Sequence, residues 1–152
     1  MIKPPNLLIY IATVLGIGFI KYARGTIATL LALPIYLLVI DTSIYIKFTI
    51  FVALFVVGMF AAGYYEFYSG QKDPGEVTID EVAAYYFVLM FIPFNFYYIV
   101  SSFIIFRFFD ISKVFPIRNY ENIKGGIGVM LDDFIAAIYT LLSIYLLVNI
   151  IW

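Results

Sequence analysis

Five apolar runs, at residues 6–20, 27–40, 48–65, 82–106 and 134–152, occupy most of a 152-residue chain and leave it few ways to fold. Apart from the fourth, the runs hold 14 to 19 residues. That is a little under the roughly 20 that cross a bilayer core, a shortfall that small extensions into the flanks make up. With 64 % hydrophobic and 12 % charged residues and a mean hydropathy of +1.03, the chain lacks the polar surface to coat a soluble globule of its size. The expectation is one integral membrane domain over 1–152, since the length leaves no room for a second. The first run follows Lys3 as a leader peptide would. It lacks the small-residue cleavage pattern and the next run follows at once, so it reads as a membrane helix that is kept.

The fourth run carries "PFN" at 93–95 near its middle, where proline removes a helical hydrogen bond. Each half is about a dozen residues, roughly 17 Å of helix against a core of about 30 Å. A short membrane-dipping helical hairpin at 80–110 fits that length, packed in protein or facing a wet cavity. The fold expected is therefore an all-α polytopic bundle of about six helices.

A hairpin there also sets which polar segments share a face. Lys21, Arg24, Lys72, Arg107, Lys113, Arg118 and Lys124 emerge together, as do eight of the ten acids, against Lys3 and Lys47 opposite. Only Asp41 and Glu66 stand apart, Glu66 inside the end of the third helix. By the positive-inside tendency the polar face is cytoplasmic.

A net charge of −1 offers no basic excess for a nucleic-acid partner. The absence of cysteine and histidine excludes thiol chemistry and removes the commonest neutral base and metal ligand. Chemistry is left to carboxylates, Lys, Arg, Tyr, Ser and Thr.

Two acidic doublets, Asp80–Glu81 and Asp132–Asp133, each stand at the mouth of an apolar run. Either could be no more than helix capping, with Thr78 or Asp80 as the N-cap and acids meeting the helix dipole. Two doublets on one face are a set of hard oxygen donors suited to Mg²⁺ shared with a phosphate. Between them Arg107, Asp110 and Lys113 recur at intervals of three, which on a helix places them on one face. Arg107 could grip phosphate oxygens through its planar fork, with Lys113, Arg118 and Lys124 adding positive charge. Asp110 could orient Arg107, act as a base or ligate metal. "ARGT" at 23–26, holding Arg24 and Thr26, and "KGGIG" at 124–128 are glycine loops ahead of helices, where backbone N–H groups can face an anion. A different class stays open on the residues alone: a small transporter or assembly subunit, toward which Glu66 leans, with its charges forming a path or interhelix pairs.

The ordered set "ARGTIATL", "KDPGEVTIDE" and "FRFFDISKVFPIRNYENIKGGIGVMLDD" resembles the phosphatidylglycerophosphatase A family. Four positions depart from that family's pattern: Arg24 stands where a proline is expected, Val114 and Phe115 where proline and tryptophan are, and Ala84 where a glycine is. The resemblance implies helices gathered around a central one. It also implies Mg²⁺-dependent hydrolysis of the terminal phosphomonoester of phosphatidylglycerophosphate, or of its ether-lipid analogue, in phospholipid biosynthesis. In that reading Asp80, Glu81, Asp132 and Asp133 hold the metal, and they form the catalytic set with Asp110. Arg24, Thr26, Arg107, Lys113, Arg118 and Lys124 bind the substrate phosphate.

Overall fold

The structure, a computed structural model, describes residues 7–115, 123 and 125–151, with side chains as far as 149. Among these residues it holds six α-helices and no strand: α1 (Leu7–Ala12), α2 (Arg24–Leu37), α3 (Ile44–Ser69), α4 (Ile79–Phe91), α5 (Phe96–Ser112) and α6 (Gly126–Ile151). A short 3₁₀ turn, Ile17–Phe19, lies between α1 and α2. Arg118 and Lys124 lie outside the described residues.

Helix α4 is the centre of the bundle. Ten of its thirteen residues are buried, and α2, α3, α5 and α6 all pack against it. Phe51 of α3, Phe87 of α4 and Phe134 of α6 meet with ring centroids 4.8–5.6 Å apart, joining three helices below the polar end. Above them α3 and α6 approach closely enough that a Cβ on Gly126 would lie 1.8 Å from the Met59 carbonyl oxygen. Only a residue without a side chain permits that crossing.

The fourth run is broken where expected. Asn95 caps α5 by accepting the Tyr98 N–H at 3.1 Å, and the chain then returns antiparallel to α4. Glu81 meets Arg107 at one end of the hairpin, and Tyr85 donates to the Ile99 carbonyl at 2.9 Å further along. The tip reaches the far end of the bundle, where Phe94 packs 5.7 Å from the ring of Tyr36. Lys47, whose ammonium donates to the Ile40 carbonyl at 2.7 Å, lies over that same tyrosine ring. Helices α2, α4 and α6 thus begin at the polar end, and α3 and α5 finish there.

The first apolar run does not form the membrane helix expected of it. Helix α1 is six residues long, about 9 Å, and the chain then turns through positive φ at Val14, Leu15 and Gly16. Thr13 supports the turn, its hydroxyl donating to the Ile9 carbonyl at 2.8 Å and accepting the Gly16 N–H at 3.2 Å. Gly18 then packs on the backbone of Glu76, where a Cβ would lie 1.7 Å from the carbonyl oxygen. The run folds back to support the 74–78 loop instead of crossing the bundle.

Two helices are long and apolar enough to cross a bilayer, Ile44–Ser69 and Gly126–Asn149. Their outward faces, with Phe60, Phe67, Tyr145 and Leu146 more than half exposed, are apolar where a soluble protein would be charged.

Candidate functional site

The first turn of α4 delivers Asp80 and Glu81 to the polar end of the bundle. Thr78 occupies the N-cap position without a side-chain hydrogen bond, and Asp80 and Glu81 lie in the first turn, where carboxylates meet the helix dipole. Asp80 is buried, and desolvation together with the Glu81, Asp132 and Asp73 carboxylates raises its pKa well above the ordinary range. Burial and then Asp110 push Glu81 up to about 8, while the Arg107 guanidinium pulls it down.

Arg107 organises the α5 side. Its Nη1 donates to Glu81 Oε1 at 3.2 Å, to Asp110 Oδ2 and to the hydroxyl of Thr29 at 3.4 Å. Thr29 is fully buried and donates its own proton to the Gly25 carbonyl at 2.8 Å. One turn earlier on α2, a Cβ on Gly25 would lie 2.0 Å from Glu81 Oε1 and about 3 Å from both guanidinium nitrogens of Arg107. Helix α2 is therefore a shelf, bare at residue 25 and hydroxylated at residue 29, on which the ion pair rests. Thr26 is half-buried in the same first turn, and its side chain has no hydrogen bond among the described residues.

Lys113 departs from the face it was expected to share. Helix α5 ends at Ser112, and Lys113 takes a left-handed conformation with φ 43°, its N–H donating to the Phe109 carbonyl at 3.0 Å. From that bend its ammonium reaches Asp132 Oδ2 at 2.9 Å and Asp73 Oδ2 at 3.6 Å. Asp133 donates its backbone N–H to Asp132 Oδ1 at 3.0 Å and is within electrostatic reach of Asp110, Asp80 and Glu81. The two doublets, though more than fifty residues apart in sequence, thus share one electrostatic environment with Asp110.

Sequence reasoning missed three contributors. Thr29 orients Arg107, Asp73 completes the Lys113 bridge, and Glu66 joins the site instead of standing apart. A cleft of about 480 Å³ beside the end of α3 is lined by Glu66 and Lys72, and a small recess sharing those two residues continues to Asp73 and Asp132. The acid of "KDPGE" signalled Asp73, and the four-residue spacing of Gly25 and Thr29 signalled a common helix face.

Among the described residues, three buried carboxylate oxygens, Asp80 Oδ1, Glu81 Oε2 and Asp133 Oδ2, have no hydrogen-bond partner, nor has the Arg107 Nε. Buried carboxylates left this way are costly without a cation, and an all-oxygen set is the kind that Mg²⁺ takes. Among the described residues no three acids are grouped to hold one ion, so a closed cage of four carboxylates is not formed. The donor set fits an ion that takes one or two carboxylates and completes its shell with water and substrate phosphate.

The pattern of the phosphatidylglycerophosphatase A family matches residues 10–148. A Bacteroides thetaiotaomicron protein named "Putative phosphatidylinositol-3-phosphatase" is 36 % identical over 152 residues, covering 95 % of each chain. A Haemophilus influenzae protein named "Phosphatidylglycerophosphatase A" is 33 % identical over 148 residues, covering 95 % of this chain and 89 % of its own. No solved structure matches the chain. A transporter or assembly subunit does not account for these relationships: the chain belongs to the phosphatidylglycerophosphatase A family and is a lipid phosphatase, a phosphoric monoester hydrolase.

Proposed function

We propose that the protein hydrolyses the terminal phosphomonoester of phosphatidylglycerophosphate, or of its ether-linked counterpart, in a Mg²⁺-dependent reaction at the cytoplasmic face of the cell membrane. The observation that carries this reading is the set of unpartnered buried oxygens on Asp80, Glu81 and Asp133 beside the Arg107 guanidinium. Family membership supplies the reaction class. Two bilayer-length helices and one polar end rich in Lys and Arg support the membrane setting and its orientation.

Asp80, Glu81, Asp132 and Asp133 would hold Mg²⁺, in ones and twos. Bound there, the ion would supply Lewis-acid chemistry, offsetting phosphoryl charge and lowering the pKa of water. Arg107 is fixed by Asp110 and Thr29, which leaves its buried Nε–H as a donor for a non-bridging phosphoryl oxygen. Asp110 in this arrangement aligns the guanidinium. Lys113 holds Asp132 and Asp73 together and would set its positive charge against the negative charge on the transferred phosphoryl group. Arg118 and Lys124 belong to the same polar segment and complete the proposed phosphate-binding set.

The test is phosphate release from phosphatidylglycerophosphate by the detergent-purified protein in Mg²⁺ and in EDTA. Release in Mg²⁺ alone is expected, and none in either condition overturns the reading. A parallel assay on phosphatidylinositol 3-phosphate is warranted by the name of the Bacteroides relative. Faster turnover of that lipid would replace the substrate while leaving the reaction class in place.

A further inference from the structure

The cations of the site are not equally committed. Arg107 and Lys113 are each tied to two carboxylates. Arg24, at the first position of α2, has no hydrogen bond or ion pair among the described residues. Its guanidinium is nonetheless held in place. It lies against Gly75, where a Cβ would stand 2.0 Å from Nη2 and 2.8 Å from Cζ. Gly75 is not one of the positive-φ glycines, so what the position requires is room rather than backbone freedom. The loop has kept a seat clear for a cation that feels Glu81 and Tyr65 at a distance but forms no ion pair among the described residues.

The surroundings say which part of a lipid meets that seat. Residues 15–22 wrap over the same loop, with Gly18 packed on Glu76 next to Gly75. Leu15, Phe19, Ile20 and Tyr22 are exposed there, and the Lys21 ammonium lies 5.4 Å from the Tyr22 ring centroid. Exposed apolar and aromatic side chains beside a lysine are the composition of a segment resting at the headgroup level of a bilayer. Arg24 is only half-buried, whereas the unpartnered carboxylate oxygens of the acids are buried. Residue 25, its neighbour, carries the Glu81–Arg107 pair. A substrate reaching that pair with its terminal phosphate would present its membrane-proximal phosphate on the Arg24 side.

We infer that Arg24, seated against Gly75, binds the internal phosphodiester of the lipid and selects substrates carrying a diester as well as a terminal monoester. The inference rests on the substrate reading proposed above and adds which phosphate each arginine takes: Arg107 the reacting monoester, Arg24 the diester that stays with the lipid. It also gives a role to a residue that departs from the family pattern. A proline at position 24 could make no such contact.

The experiment compares wild type, Arg24→Gln and Gly75→Ala in two measurements. The first is kcat/KM for phosphatidylglycerophosphate relative to phosphatidic acid, which has a monoester and no diester. The second is isothermal titration, in detergent, of the deacylated headgroup carrying both phosphates against glycerol 3-phosphate carrying one. Loss of one charge-assisted contact is expected to lower the kcat/KM ratio roughly 10- to 100-fold in Arg24→Gln, chiefly through KM, and to shrink the affinity gap between the two headgroups by a similar factor. Gly75→Ala keeps the charge but displaces the flexible end of Arg24, so it should move both readouts the same way by less. An unchanged affinity gap in Arg24→Gln overturns the inference, whatever happens to overall activity. Absence of turnover on phosphatidylglycerophosphate in wild type, with the affinity gap present and closed by Arg24→Gln, would overturn the proposed substrate and leave the diester site standing.

Discussion

Gly25 is bare where the Glu81 carboxylate lies: a Cβ there would stand 2.0 Å from Oε1 and within about 3 Å of the Arg107 guanidinium. The atoms it would meet are the ends of two side chains, so Gly25→Ala should leave the bundle folded while pushing the ion pair off its shelf. Displacement of about 1 Å at a reacting centre costs on the order of 10²-fold in rate. The expected result is a fall of that size in kcat/KM for phosphate release, with helical circular dichroism and thermal midpoint close to wild type. Retained activity would mean that the placement of Glu81 and Arg107 on α2 is not required.

Asp133 gives a prediction with two opposite signs. Its Oδ2 is buried without a hydrogen-bond partner among the described residues and shares its surroundings with four other carboxylates. Asp133→Asn removes one charge from that crowd, which should stabilise the metal-free protein by about 1 kcal/mol or more, a rise of roughly 2–4 °C in midpoint for a chain of this length. The same change should abolish phosphate release, because an amide is a weaker ligand for a hard cation. A purely structural aspartate would show neither the gain nor the loss, and unchanged turnover would remove Asp133 from the proposed metal site.

The gathering of charge at one end was legible before any coordinate, because charges are so few in this chain that their spacing between apolar runs dictates which of them share a face. Pro93 and Asn95 likewise announced the break between α4 and α5. What was not legible depended on partners distant in sequence. The 6–20 run is apolar enough for a membrane helix, and it stops at Ala12 where the carbonyl accepts the distant Thr78 N–H, with Gly18 then packing on the backbone of Glu76. The Arg107, Asp110, Lys113 spacing assumed an uninterrupted helix, but Lys113 turns out of it to reach Asp132. Thr29 looked like an ordinary helix residue because its functional partner is 78 positions away.

That turn at Lys113 is itself testable. A non-glycine residue at φ 43° carries roughly 1–2 kcal/mol of backbone strain that glycine does not. Lys113→Gly should therefore unfold at higher temperature than Lys113→Ala by about 1 kcal/mol or more, although both lose the bridge to Asp132 and Asp73. Activity should fall in both by roughly 10- to 100-fold or more, as on removal of a stabilising charge beside a phosphoryl group. If the two variants unfold together, the left-handed turn is not held in the native state. If either keeps full activity, Lys113 serves the fold alone.

The absence of any three grouped acids among the described residues makes a specific demand on how the proposed Mg²⁺ would bind. Without a closed cage, Mg²⁺ at the proposed site would be held by one or two carboxylates and would take its remaining ligands from water and substrate phosphate. Each ligand should then raise affinity for the other by the same factor, as linkage requires. Thermal midpoints measured with Mg²⁺ alone, with the deacylated two-phosphate headgroup alone, and with both should show a joint shift exceeding the sum of the separate ones, because stabilisation follows the affinity for the native state. EDTA should return the joint midpoint to that of the headgroup alone. A full shift from Mg²⁺ alone would mean that the carboxylates of Asp80, Glu81, Asp132 and Asp133 close into a cage before substrate binds. A joint shift no larger than the sum would separate the ion from the phosphate and leave the buried acids to another purpose.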